Sequence, residues 1–379
     1  MQQAKTKLAL AVAAGILAPA LPADAAEKIH LKLGGYSKWW LVAAQSDNDF
    51  EMATNAAYSN TDVKGDNEVH FIGSTLLDNG VKVGVKIELE GGGHTTTNTD
   101  TIDKSFAWVE GGFGKLELGT DYNAASLAHV AAPDAAGLWA GPPQGLASDT
   151  VIPRPSAVST MYSGNQTGLD HDDNAEKILY FTPAFHGLTL AVSYTPSALS
   201  EDNSAQPIRS QVFAAGLSYG GTVGPVALAL SAGWLGGHLS SASAEQNDVR
   251  AVSLGGQATF FGVTIGGSYG TERHDLRPGA AKAGTVDNSG RSWDVGIQYE
   301  TGPASVSAAY YNSKVEGLMS NPDSDRIDIV QMSGKYMLGP GVAFMGSVGR
   351  IVYDDETPSG DSANHNQGYA VMTGMGLWF

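Results

Sequence analysis

Residues Val81 to Glu90 alternate between apolar and polar without a break. Val81, Val83, Val85, Ile87 and Leu89 fall on one side, and Lys82, Lys86, Glu88 and Glu90 on the other. A period of two is that of a β-strand. The pattern returns at Lys115–Gly119, at Leu188–Tyr194, at Val226–Leu230 and at Ser292–Tyr299. Connection lengths constrain the chain further. Short turns bearing Gly or Pro lie at Asp78–Gly80, Gly111–Gly114, Pro183–Gly187, Gly220–Pro225, Phe260–Gly262, Thr301–Pro303 and Leu338–Gly341. Between them lie long polar stretches at 46–67, 91–101, 121–176, 196–209, 237–248, 273–290, 313–325 and 353–366. Short and long connections take turns throughout. Seven hairpins, a first strand over 29–44 and a last over 367–379 make sixteen strands. A soluble sandwich also alternates, but it has no reason to sort its loops by length. The expected fold is all-β: a transmembrane antiparallel barrel of sixteen strands, one stripe facing lipid and the other an aqueous lumen.

Composition narrows the function classes. The chain has 22 Lys+Arg against 39 Asp+Glu, a net charge of −17, and no cysteine. Disulfides, thiolate metal sites and a Cys nucleophile are excluded, and no nucleic-acid partner is expected. Residues 1–25 are of another kind: Lys5 and Lys7, then an apolar stretch over Leu8–Leu17, then Ala23-Asp24-Ala25. This reads as a secretory signal peptide cleaved after Ala25, too short to span a membrane. The expected mature chain, 26–379, is a single barrel domain with 20 basic and 38 acidic residues. Aromatics near strand ends (Trp39, Trp40, Phe113, Phe185, Tyr194, Tyr219, Trp234, Phe260, Phe261, Tyr299, Tyr310, Tyr311) suit girdles at the lipid headgroups.

The chain ends at Phe379, with Leu377, Met375, Thr373 and Val371 on the same face. This ending resembles the C-terminal signal read by the outer-membrane barrel assembly machinery. The segment Asp103–Ala125, with Gly-Phe-Gly-Lys-Leu-Glu-Leu-Gly at 112–119, resembles a hairpin of Gram-negative general porins, especially alphaproteobacterial ones. In that family the hairpin precedes a constriction loop. The resemblance implies a water-filled barrel in the bacterial outer membrane, usually a homotrimer, passing small hydrophilic solutes passively. Lipid and lipopolysaccharide are the implied surroundings. Family members often carry Arg or Glu near Thr120, which this chain does not, a departure that bears on selectivity. Small residues at Gly35, Ser37 and Thr373 would suit close contact between barrels.

Sixteen strands enclose more space than side chains fill, so something must narrow the lumen. The connection 121–176 is far longer than an ordinary loop and carries Pro133, Pro142, Pro143, Pro153 and Pro155. Its apolar stretches Leu127–Ala132 and Ala135–Ala140 are expected to pack on the inner wall as a constriction loop. The residues expected to line the narrowest point are Lys38, Lys86, Glu88 and Glu117 on the wall, with Asp121, Asp134 and Asp149 on the loop. An acidic loop opposite a basic wall would set up a transverse field, and the excess of acids predicts a modest preference for cations.

Other features carry less. Gly360-Asp361-Ser362 near His365 has the residues of an esterase block but no strand-to-helix elbow, so no enzyme, an outer-membrane phospholipase included, is expected. No cofactor is expected beyond a structural Ca²⁺, for which Asp170-His171-Asp172-Asp173 or Asp323, Asp325 and Asp328 offer ligands without EF-hand spacing. The alternative function is a solute-specific channel. Phosphate selectivity would need an arginine ladder, and a sugar slide would need more stacked aromatics than Tyr36 and Trp40.

Overall fold

Sixteen antiparallel strands close on themselves in the computed structural model, which describes residues 28–92, 102–137, 151–161, 164, 166–172, 174–198, 209–239, 246–276, 284–357 and 360–379. The strands are β1 (His30–Ser46), β2 (Thr61–Leu76), β3 (Lys82–Glu90), β4 (Ile102–Gly111), β5 (Gly114–Thr120), β6 (Glu176–Phe181), β7 (Leu188–Ser197) and β8 (Arg209–Val223). They continue as β9 (Val226–Leu239), β10 (Gln246–Phe260), β11 (Val263–Leu276), β12 (Val286–Thr301), β13 (Ala304–Leu318), β14 (Asp325–Gly339), β15 (Val342–Asp354) and β16 (Asn366–Trp378). Each pairs with its neighbours in sequence, and β1 closes the ring on β16 from Tyr36↔Trp378 to Ser46↔Gly368. Two short helices sit in loops, α1 (Asn48–Thr54) and α2 (Ala124–Ala128). Among the described residues no helix is long and apolar enough to cross a membrane. The expected signal peptide lies outside the described residues.

The connections sort by length as the sequence predicts. At one end are the turns 77–81, 112–113, 182–187, 224–225, 261–262, 302–303 and 340–341. At 261–262 both Phe261 (φ 48°) and Gly262 (φ 79°) are left-handed, the geometry of a type I′ turn that matches strand twist. The longer connections, 121–175 among them, gather at the other end. Several boundaries differ from the reading of the sequence: residues 237–239, 273–276, 286–290 and 313–318 are strand, and the largest difference is at β2. Residues 61–67 belong to β2 and not to a loop, because Lys64 and Asp66 are charged yet point inward. Charge at inward positions hid the strand.

The two stripes have opposite surroundings. Val85, Leu118, Leu190, Leu230, Leu254, Ile265, Ile297, Met332 and Val371 are exposed on the outside. So large an apolar surface is tolerable only against lipid or another chain. Trp39, Trp234, Phe260 and Tyr299 share that face. Trp40 and Tyr311 do not. They point inward and are almost wholly buried, so these two aromatics belong to the interior and not to a girdle.

The interior holds two packed clusters, each between the wall and the connection 121–175. One joins Ala136, Val151, Ile152 and Val158 of the connection to Trp40, Tyr311, Ile329, Met345, Tyr353 and Met372 of the wall. The other joins Ala124, Ala125 and Leu169 to Leu179, Val212, Leu235, Val249 and Ala251. The hydrophobic effect in this fold therefore works twice, once against the outer face and once in docking a loop inside.

Candidate functional site

The connection 121–175 follows the inner wall from β7 round to β16. Asn123 starts it by capping α2, accepting from the backbone N–H groups of Ala125 (2.9 Å) and Ser126 (3.0 Å). The same side chain donates to the Leu169 carbonyl at 2.7 Å, tying the two ends of the loop together. The loop backbone then donates to one wall strand after another: Ala124 to Ser193 Oγ (3.1 Å), Val130 to Ser231 Oγ (2.9 Å), Ala132 to Asp294 Oδ1 (2.8 Å) and Ala135 to Ser307 Oγ (2.9 Å). Ser159 donates to Asp325 Oδ2 at 2.6 Å. Wall side chains answer: Gln257 donates to the Ala131 carbonyl (2.8 Å), Ser292 to Gln166 (2.9 Å), Asn288 to Thr160 (2.7 Å) and Asn366 to Pro153 (2.7 Å). A buried loop must satisfy its backbone groups, and here small polar wall residues do so.

Close approach needs an empty wall. A Cβ on Gly255 would lie 1.8 Å from the Val130 carbonyl oxygen, and one on Gly216 2.1 Å from that of Ala124. Glycine is the residue that lets two backbones meet at this distance. At its start the loop buries small residues, Ala124, Ala125, Ala132, Ala135 and Ala136, and farther on the larger Ile152, Val158, Met161 and Leu169. Leu127, expected to pack on the wall, is exposed to the lumen instead, and 138–140 lie outside the described residues.

The loop lies along β7–β16 and over Trp40 and Val42 of β1, and the rest of the inward wall of β1–β5 carries a run of charge. Lys38 Nζ pairs with Asp66 Oδ2 at 2.9 Å and lies 4.0 Å over the Tyr36 ring. Tyr36 donates to Glu68 Oε1 (2.5 Å) and Asp66 Oδ1 (3.1 Å). His70 Nε2 lies 2.7 Å from Glu68 Oε2. Glu88 is almost fully buried between Lys86 and Lys104, the latter at 2.8 Å. Lys115 pairs with Glu117. The register sets these pairs: Lys38 stands opposite Asp66, and Glu88 opposite Lys104.

Lys38, Lys86, Glu88 and Glu117 therefore face inward where the sequence places them. Asp121 stands at the loop's start, where burial pushes its carboxyl up and the Tyr122 N–H pulls it back. Asp134 accepts from the Ala136 N–H at 3.1 Å and from Ser307 Oγ of the wall at 3.4 Å, so it serves the loop's backbone and its docking. Asp149 lies outside the described residues. Among the described residues the lysines pair along the wall with carboxylates two residues on or one strand away, a ladder of alternating charge, and Lys104 also acts electrostatically on Asp121 at the loop's start. Lys64, Asp66, Glu68, His70 and Lys104 were missed because β2 and β4 had no register in the sequence alone. The glycine and serine dock was missed too, although Gly216, Gly233, Gly255, Ser231, Ser253 and Ser268 share inward parity and could have shown it.

The two candidate cation sites do not form as written. Asp172 is buried against Thr195 and Asn123, and His171 Nε2 lies 2.7 Å from Glu272, so this segment anchors the loop; Asp173 lies outside the described residues. Asp325 points inward, whereas Asp328 points outward to Arg326, with which it pairs at 2.5 Å. No esterase-like constellation forms at the last loop either: His365 lies 3.5 Å from Asp354 there, and no hydrogen bond joins it to Ser362 among the described residues.

The model of the Gram-negative porin family matches residues 9–356. No curated protein sequence matches the chain. Among solved structures, the anion-selective porin from Comamonas acidovorans has 15% sequence identity and a TM-score of 0.65, covering 93% of this chain and 100% of that one. A porin refined at 1.8 Å resolution has 17% identity and a TM-score of 0.59, covering 92% and 100%. OmpT, an outer membrane protein of Vibrio cholerae, has 12% identity and a TM-score of 0.60, covering 95% and 100%. At these identities the likeness is one of fold.

Proposed function

Taking as premise that this chain belongs to the Gram-negative porin family and forms a channel in the bacterial outer membrane, we propose that it is a general diffusion porin with a modest preference for cations. The observation that carries this is the charged wall of β1–β5, left open to water by a loop docked on the other side of the barrel. Paired charges in a narrow passage order water and favour polar solutes over apolar ones. Carboxylates of Asp66, Glu68, Glu88, Glu90, Asp103, Glu117 and Asp121 outnumber, by one, the ammonium groups of Lys38, Lys64, Lys86, Lys104, Lys115 and Lys177 along this path. That excess supports cation preference, in contrast to the anion-selective relative. A sugar-specific slide is less well supported, because Trp40 is packed behind the loop and does not face the lumen.

The family and the fold are those of a non-enzymatic channel. We further propose a homotrimer, with the small outward side chain of Ser37 and the neighbouring Thr373 at the contact, and recognition of the exposed Phe379 by the barrel assembly machinery. The test of selectivity is the reversal potential in a salt gradient across a planar bilayer. A potential with the sign of cation flow supports the reading, and one with the sign of anion flow overturns it.

A further inference from the structure

Three carboxylates at the outer rim lack the counter-charge that the pore supplies to its own acids. Asp325 opens β14, and Asp355 and Glu356 open the connection 355–365. One oxygen from each lies within 4.8 Å of the others. Their exposures are 1%, 6% and 5%, so all three are withdrawn from water. Two other acidic groups of comparable tightness, Glu68–His70–Glu88 and Glu68–Glu90–Asp103, are interleaved with Lys86 and Lys104. The rim group has no such partner among the described residues. Arg326, next in the chain, points to the opposite face and pairs with Asp328.

The hydrogen bonds the rim group receives are all neutral. Ser159 N–H and Glu356 N–H donate to Asp325 at 2.6 and 3.2 Å, Leu318 N–H to Glu356 Oε1 at 3.0 Å, and Thr357 N–H to Asp355 Oδ2 at 3.0 Å. Glu356 Oε2 receives none, although it is buried. It is aimed at its neighbour: a Cβ on Gly317 would lie 2.8 Å from Glu356 Oε2 and 3.1 Å from Asp325 Oδ2, so the two oxygens converge on one point above that glycine. Asp355 and Glu356, though not Asp325, also border a cavity of about 530 Å³, whose lining includes Lys314 and Arg326 without an ion pair from either to the group among the described residues.

Buried carboxylates without cations must take up a proton or a metal ion. A donor set made of carboxylate oxygens with water beside it suits a hard cation, and its loose geometry suits Ca²⁺ better than Mg²⁺ or Zn²⁺. We propose that Asp325, Asp355 and Glu356 bind one Ca²⁺ at the outer rim. The ion joins the connection after β15 to the constriction loop, because Asp325 also holds Ser159 of that loop. This inference is independent of the sign of the channel's selectivity.

The test uses the full-length folded barrel in detergent after treatment with a chelator. Tb³⁺ is titrated first, with Trp293 and Tyr310 on the same cavity as sensitisers, and is then displaced with Ca²⁺. The expected result is one saturable, Ca²⁺-displaceable site, with affinity lowered at least about tenfold in Glu356→Gln and in Asp355→Asn. Asp323→Asn, on the cavity but outside the group, keeps wild-type affinity. Thermal unfolding gives a second reading whose sign reverses. Saturating Ca²⁺ raises the wild-type melting temperature by about 5 °C. In chelator Glu356→Gln is as stable as wild type or more so, having lost a like charge, and Ca²⁺ does not raise its melting temperature. Absence of displaceable Tb³⁺ emission in the wild type, or wild-type affinity in Glu356→Gln, overturns the proposal. Should that variant not fold, the wild-type titration and Asp355→Asn decide.

Discussion

Replacing Gly255 by alanine tests how the lumen is narrowed. The new Cβ would stand 1.8 Å from the Val130 carbonyl oxygen, and ordinary contact begins near 3.4 Å, so the loop must retreat by about 1.6 Å. Three bonds hold it at this point: Val130 N–H to Ser231 (2.9 Å), Gln257 to the Ala131 carbonyl (2.8 Å) and Ala132 N–H to Asp294 (2.8 Å). A retreat of that size carries them beyond hydrogen-bonding distance. A net bond contributes about 1 kcal/mol and one to a charged group about 2 kcal/mol, so the docking loses about 4 kcal/mol. The sheet is untouched, since the ladder of β10 with β9 and β11 involves none of these groups. Gly255→Ala should therefore keep the barrel folded, judged by its heat-modifiable migration on gels. Its single-channel current should be lower and noisier than wild type, because the loop is pushed toward the lumen and less firmly held. Gly220→Ala is the control, since a Cβ there meets nothing within 4 Å. A Gly255→Ala channel with wild-type conductance and noise would refute the docking argument.

Three other outcomes are expected. Glu88→Gln leaves Lys86 and Lys104 without their shared carboxylate and should lower the cation-to-anion permeability ratio by about twofold or more, read as a shift in reversal potential. Burial in the loop pushes the His129 imidazole down to about 4 from its usual 6.5. Its contribution to loop docking is therefore fully present above pH 6.5 and is lost as pH falls toward 4, so channel noise should rise across that window and level off below it. His129→Gln should flatten that profile. Deleting Phe379 removes an exposed side chain and its backbone pairing with Gly35, so refolding in detergent should be nearly unchanged while assembly into cell outer membranes drops, measured by immunoblotting of outer-membrane fractions.

The barrel was legible because each of its strands had to solve the same problem twice. Val85 and Ile87 outward against Lys86 and Glu88 inward marks a two-sided sheet, and the sorting of connections by length makes that sheet a barrel and not a sandwich. The turn at Phe260–Gly262 likewise showed itself by its residues. Legibility failed where a side chain's surroundings come from another strand. Trp40 has the sequence context of a girdle aromatic beside Trp39, yet parity sends it inside, under Ile152 and Met345 of its cluster. Lys38 looked like a free wall charge until the register set Asp66 opposite it. Asp325 and Asp328 look like one acidic group in sequence, but three residues along a strand put them on opposite faces, and Asp325 finds Glu356 from a distant loop instead.

On the proposed reading, water runs along the charged wall of β1–β5, with the connection 121–175 docked on the other side. The chain has no cysteine, so a single introduced thiol reports on its own surroundings. His70→Cys and Met332→Cys channels in a planar bilayer can be exposed to a cationic, membrane-impermeant methanethiosulfonate during recording. The prediction is a stepwise fall in current for His70→Cys and no change for Met332→Cys, which faces outward. An unresponsive His70→Cys channel, or an equal response from Met332→Cys, would contradict it.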